Sequence, residues 1–147
     1  MFPLRKVNMY IILLVYLGFC TWEDCRCRQI FWPLSAAMAA AGILLKLVSD
    51  QAGFPELACA LIPGALLLPL LFLPSPPLGM GDILVLWVLG IWTSLWHTVT
   101  VFCFALMMAG MYAGFLLLRK KAKKQDTLPF IPFLFLAQTI LLFGDYG

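Results

Sequence analysis

Long apolar runs, separated by short polar or proline-rich stretches, cover nearly all of this 147-residue chain. The runs are continuous rather than alternating, and a helix that crosses a ~30 Å hydrocarbon core needs about 20 such residues, so helices are favoured over a β-barrel. The pattern predicts an all-α integral membrane protein, a bundle of about six transmembrane helices. The candidate spans are 7–22, 31–48, 57–73, 79–97, 98–118 and 128–143.

Prolines mark the middle of the chain. Pro63 and Pro69 lie within the third span, where we expect a kink rather than a break because membrane helices tolerate proline. The stretch "LPSPPLGMG", residues 73–81, contains three further prolines and cannot continue a helix. It is predicted to be a loop.

Composition agrees with a membrane protein. Hydrophobic residues make up 63% of the chain and charged residues 12%, against about 45–50% and about 25% in soluble domains. Residues 1–147 are therefore predicted to form a single membrane-embedded domain with no soluble domain, surrounded by the lipid bilayer and with no nucleic-acid partner. The basic start and first apolar run also fit a signal peptide, but no small-x-small cleavage site follows, so we interpret 7–22 as a retained span.

Basic residues predict the orientation. The cluster "RKKAKK", 119–124, directly follows the fifth span and is a cytoplasmic anchor under the positive-inside rule. Two crossings separate it from Asp82, and two more separate Asp82 from the loop 23–30, which carries two arginines. Asp24 and Asp82 are thus predicted on the cytoplasmic side of a multi-pass cell-membrane protein, each at the end of a span.

These two aspartates are the candidate chemistry, since an ionisable group within a span is by default a functional hypothesis. Two carboxylates a few ångströms apart do not both ionise easily, so one keeps a proton. Such a pair hydrolyses an amide when one member activates water and the other polarises the carbonyl. We expect Gly79 and Gly81 to adopt positive φ and admit a peptide beside Asp82. Proton or ion transport would equally use Asp82, and Asp24 alone fits an ordinary juxtamembrane charge.

The cysteines and the single histidine do not predict a metal site. Cys25 and Cys27 are spaced too tightly for the usual C-x₂₋₄-C zinc ligands, and His97 is distant in sequence. We therefore expect neither a metal nor another cofactor.

Three motifs resemble the type IV prepilin and preflagellin peptidases, which are membrane aspartyl proteases. "GMGD", 79–82, resembles their Gly-x-Gly-Asp signature. "DCRCRQI", 24–30, resembles the short basic loop in which the first catalytic aspartate stands six residues before an isoleucine. "LPFIPFLFLAQ", 128–138, resembles the Pro-Phe-Gly-Pro-Phe-Leu motif that opens the last core span. The matching residues of this last-span motif are Pro129, Phe130, Pro132 and Phe133.

The resemblance implies cleavage of the basic leader of prepilin-like proteins after a glycine, at the cytoplasmic face, with Asp24 and Asp82 as the catalytic pair. The substrate would be a prepilin-like protein with a hydrophobic N-terminal helix. The short chain resembles the peptidase-only members associated with tight-adherence pili, so methylation is not implied.

Three positions depart from the family pattern: Leu84 replaces a usual lysine, Phe31 a proline and Ile131 a glycine. Two other functions therefore stay open. One is a catalytically inactive relative that acts as a pilus-assembly subunit, and the other is a small ion- or proton-coupled transporter.

Overall fold

A computed structural model describes residues 2–27, 31–48, 53–74, 79–119 and 129–146, and all regular structure in these ranges is helical. The prediction of an all-α chain is confirmed. A 3₁₀ turn, Leu68–Phe72, follows the third helix. The helices are α1 (Phe2–Cys27), α2 (Trp32–Val48), α3 (Phe54–Leu67), α4 (Met80–Trp92), α5 (Leu95–Leu118) and α6 (Ile131–Tyr146).

Helix α4 is the centre of the bundle. It packs against α1, α2, α3 and α5, and α6 packs against α1 and α5. Because α4 is apolar around most of its circumference, it is buried on several faces at once. Its buried side chains include Ile83, Val85, Leu86, Val88, Leu89 and Ile91.

Small residues let neighbouring helices approach α4 closely. A methyl group added at Gly90 would overlap the backbone carbonyl oxygen of Ala60 on α3, and one added at Gly42 on α2 would lie 2.7 Å from the indole nitrogen of Trp92. That nitrogen donates a 2.8 Å hydrogen bond to the carbonyl of Met38. These contacts fix α2 and α3 against the C-terminal half of α4.

The predicted boundary between the fourth and fifth spans is wrong. Helix α4 ends at Trp92 and α5 begins at Leu95, so the first turn of α5 contains residues that the prediction assigned to 79–97. The reason is local: the Ser94 side chain accepts a 3.4 Å hydrogen bond from the backbone N–H of His97 and caps α5. Helix α4 has 13 residues and is about 20 Å long, which is less than the thickness of a bilayer core.

The third segment divides into two kinds of helix. Helix α3 passes through Pro63 without a break, as expected, but the chain then tightens into the 3₁₀ turn that contains Pro69. The predicted loop 73–81 is shorter than expected, because Met80 and Gly81 already belong to α4. Residues 75–78 lie outside the described residues.

Two helical stretches of the described chain, Pro55–Phe72 and Leu95–Leu118, are long and apolar enough to cross a membrane. Helices α2, α4 and α6 are apolar but shorter. In the basic cluster 119–124, only Arg119 is among the described residues.

Candidate functional site

Asp24 continues the buried face of α1. Leu13, Leu17 and Cys20 are fully buried on this helix, and Asp24 follows Cys20 by four residues, which places it on the same helical face. Its carboxylate oxygen Oδ2 is buried. The last turn of α1 therefore directs a carboxylate inward where the preceding turns direct apolar groups.

Asp82 has a defined role at the start of α4. It is the third residue of the helix, and its Oδ2 accepts a 2.9 Å hydrogen bond from the backbone N–H of Gly79. This is one half of a capping box, since glycine has no side chain to supply the other half. A carboxylate in the first turn also interacts favourably with the helix dipole. Helix capping thus accounts for part of the presence of Asp82.

Helix structure offers no such explanation for Asp24. It lies three residues before the C-terminal residue of α1, where the dipole is negative and a second negative charge is unfavourable. The dipole therefore does not explain an inward carboxylate at this end of the helix. This position argues against an ordinary solvated charge and favours a functional role.

The structure brings the two aspartates together. Asp82 lies outside both stretches that could cross a membrane. Burial raises its pKa to about 6, the hydrogen bond from Gly79 opposes the rise, and the negative charge of Asp24 adds to it. The C-terminal end of α1 and the N-terminal end of α4 therefore form one acidic site, in which burial and a neighbouring charge raise the pKa of a carboxyl group.

Glu23 plays a different part from its neighbour. Its Oε2 accepts a 3.0 Å hydrogen bond from the backbone N–H of Phe31, at the start of α2. Adjacent residues on a helix point about 100° apart, so Glu23 tethers the connection between α1 and α2 whereas Asp24 turns toward the bundle.

Sequence reasoning missed a polar contact beneath Asp24. The hydroxyl groups of Tyr16 and Ser35 share a buried 2.8 Å hydrogen bond that joins α1 to α2. Tyr16 also contacts the thiol of Cys20, which is close enough to Asp24 to be influenced by its charge. The spacing of Tyr16, Cys20 and Asp24 at intervals of four residues was the available signal.

The two glycines before Asp82 do not behave as expected. Gly79 has φ −83° and ψ 162°, which is extended backbone that any residue adopts, and Gly81 lies in the first turn of α4. The prediction of positive φ is therefore wrong for Gly79. A methyl group there would make only an ordinary 3.7 Å contact with Asp82 Oδ2.

The last-span motif packs against α5. Pro129 and Phe130 precede α6, and the second proline and phenylalanine of the motif lie in its first turn. Phe130 is buried edge-on against Phe102, with ring centroids 5.8 Å apart, and Phe133 lies 5.7 Å from the ring of Tyr112. Within the described ranges, the ring contacts of this motif are with α5 and not with either aspartate.

No group of three or more His, Cys, Asp or Glu side chains in the described part of the chain could hold a metal ion. Cys25 and Cys27 are exposed free thiols at the end of α1.

Comparison with known proteins adds no family assignment. The chain matches no protein-family model, no curated protein and no solved structure.

Proposed function

We propose that this protein is a membrane aspartyl endopeptidase that removes the basic leader of prepilin-like proteins after a glycine. The observation that carries the proposal is the acidic site, in which the charge of Asp24 acts on the partly buried carboxyl group of Asp82. The resemblance of the motifs at 24–30, 79–82 and 128–138 to the prepilin peptidases supplies the substrate class. Asp24 and Asp82 are the catalytic residues.

The two carboxyl groups divide the work of amide hydrolysis. Ionised Asp24 accepts a proton from water as the water oxygen attacks the scissile carbonyl, and protonated Asp82 donates a proton to the carbonyl oxygen. The resulting gem-diol collapses as the C–N bond breaks. Asp24 then gives its proton to the leaving amine, and Asp82 recovers its proton from the collapsing diol. The raised pKa of Asp82 makes it the member of the pair that keeps a proton to donate, although such a pair titrates as a unit.

The proposal includes a multi-pass membrane location with the aspartates on the cytoplasmic side. Its support is the apolar surface of the bundle: Val48, Phe72, Met111 and Leu118 are each at least 74% exposed. Soluble monomers rarely expose large contiguous apolar patches, whereas hydrocarbon tails would cover such side chains. Six spans and the positive-inside orientation complete this part of the proposal.

The test is removal of the leader from a co-expressed prepilin, read as a mobility shift. Asp24→Asn, Asp82→Asn and the double variant should all lose cleavage to nearly the same extent, because effects within a catalytic unit are not additive. Glu23→Gln is the matched control: it also removes a carboxylate from the last turns of α1 but keeps an acceptor for the Phe31 N–H, so it should retain most cleavage.

The same variants separate the other functions. If Asp24→Asn processes substrate at the wild-type rate while Asp82→Asn does not, the two-aspartate mechanism is wrong. Coupled ion flux that requires only Asp82 would identify a transporter. A chain that never cleaves but still co-purifies with pilus components would be an inactive relative. In that case restoring the family residues at Leu84 and Ile131 is the next experiment.

A further inference from the structure

A second polar cluster lies between α1, α5 and α6, beyond the C-terminal end of α4. Gln138 on α6 is fully buried, and its Oε1 lies 3.0 Å from the Nε2 of His97 in the first turn of α5. The ring of Tyr10 on α1 packs against the imidazole, with centroids 5.7 Å apart. Neither the acidic site nor the proposed cleavage uses this cluster.

Among the described residues, only one end of the Gln138 carboxamide has a hydrogen-bond partner. Its Nε2 atom is buried, and no acceptor for it occurs among the described residues. Leaving a buried N–H group without an acceptor is costly, and buried polar groups of native proteins are nearly always hydrogen-bonded. The carboxamide therefore calls for a partner that the described helices do not supply.

Nearby hydroxyl groups are already engaged. The Thr98 hydroxyl donates a 2.9 Å hydrogen bond to the Ser94 carbonyl and shares a 3.1 Å bond with Thr93. The Thr139 hydroxyl donates to the carbonyl of Phe135 at 2.8 Å. Each hydroxyl oxygen could still accept a hydrogen bond, but neither accepts one from Gln138, whose Nε2 has no acceptor among the described residues.

The orientation of the carboxamide does not remove the need for a partner. Oxygen and nitrogen of a glutamine side chain are assigned from their hydrogen bonds. If the group were turned over, its NH₂ would face the Nε2 of His97, and the other end would need a donor instead of an acceptor. A water molecule satisfies either orientation because it both donates and accepts, whereas the ester carbonyl of a lipid satisfies only one.

We propose that Gln138 and His97 form a binding site for one oxygen atom from outside the chain, that of a buried water molecule. The positive end of the α5 dipole favours such an oxygen beside the first turn. His97 and Tyr10 are half-buried, so the site reaches the surface of the bundle along these two rings. Water molecules that bridge buried polar groups are a regular part of folded proteins, at about one per 27 residues.

The experiment uses the full chain, labelled with ¹⁵N-glutamine, in phosphatidylcholine nanodiscs. The sequence contains four glutamines, and Gln138→Glu removes the Gln138 NH₂ signal while keeping an oxygen to face His97. We expect that signal to receive magnetisation from a slowly exchanging water. Transfer from lipid glycerol protons instead would identify a lipid carbonyl as the source of the oxygen and overturn the assignment to water.

Transfer from neither source would overturn the site itself. If Gln138→Glu does not fold, replacing the other three glutamines by glutamate leaves Gln138 as the single labelled carboxamide and assigns the signal directly. Those replacements are at Gln29, Gln51 and Gln125. Because the readout does not involve cleavage, the result is independent of the proposed peptidase function.

Discussion

Replacement of Asp82 by asparagine should stabilise the protein at neutral and alkaline pH. The pKa of Asp82 is raised from 3.8 to about 6, chiefly by burial. At about 1.4 kcal/mol for each pH unit, ionising this group in the folded state costs roughly 3 kcal/mol of stability. Asparagine is uncharged and similar in size, so the variant avoids that cost.

The expected pH dependence follows from the direction of the change in pKa. Because the folded state binds the proton more tightly than the unfolded state, the stability contributed by protonated Asp82 is fully present below about pH 4. It is lost as the pH rises through about 6. The variant should therefore equal the wild type at low pH and exceed it above about pH 7. The net gain should be about 1–3 kcal/mol, since a neutral amide oxygen is a weaker acceptor for the Gly79 N–H than a carboxylate.

The measurement is the free energy of unfolding in detergent micelles, followed across this pH range. Glu23→Gln removes a nearby carboxylate that is hydrogen-bonded at the surface, so it tests whether the gain merely reflects lower negative charge. If Asp82→Asn is less stable than the wild type at about pH 8, then capping of α4 outweighs the burial cost. In that case Asp82 is a structural residue.

Three further predictions address the pair, the packing and the orientation. Asp24→Asn should lower the pH at which the free energy of unfolding decreases, because the charge of Asp24 helps to raise the pKa of Asp82. An unchanged midpoint in the same titration would show that the two groups do not interact. Gly90→Ala should destabilise the protein by about 1–3 kcal/mol because the methyl group meets the Ala60 carbonyl. The control Gly110→Ala, which meets nothing within 4 Å, should be neutral or stabilising by about 0.5–1 kcal/mol. Ala122→Cys, in a chain whose native cysteines are replaced by alanine, should react with an impermeant thiol reagent only after the cells are permeabilised; labelling of intact cells would reverse the proposed orientation.

Hydrophobic continuity was enough to predict the helices but not where they end. Long apolar runs have no internal signal for a break, and the prediction therefore extended the fourth span past Trp92. The missing information was the capping serine at Ser94, a single residue whose local hydrogen bond outweighs the apolar residues on either side. The change to a 3₁₀ turn before Pro69 has the same local origin, since proline supplies no backbone N–H for an α-helical bond.

Counting crossings predicted that Asp24 and Asp82 share a side, and the structure places them at one end of the bundle, close enough to interact. The count alone could not decide which of two adjacent acidic residues faces inward. The periodicity of α1 could not decide it either: position 24 lies four residues after the buried Cys20 and seven after the buried Leu17, but position 23 lies three residues after Cys20. A pairing such as His97 with Gln138 has no signal in the sequence, since the two residues belong to different helices and only the packing of α5 on α6 joins them.

Local structure changes how strongly each of the two aspartates supports the case for a functional site. In the sequence, Asp82 is the more conspicuous residue, because it stands in an apolar segment behind two glycines. In the fold it is a capping residue at the favourable end of a helix, a position where an acid has a structural use. Asp24 instead lies at the end of α1 where the helix dipole disfavours an acid, with a carboxylate oxygen buried on the inner face. Residues that conflict with local helix preferences are expected at functional sites, so the position of Asp24 at this end of α1 is the stronger structural argument for an acidic active site.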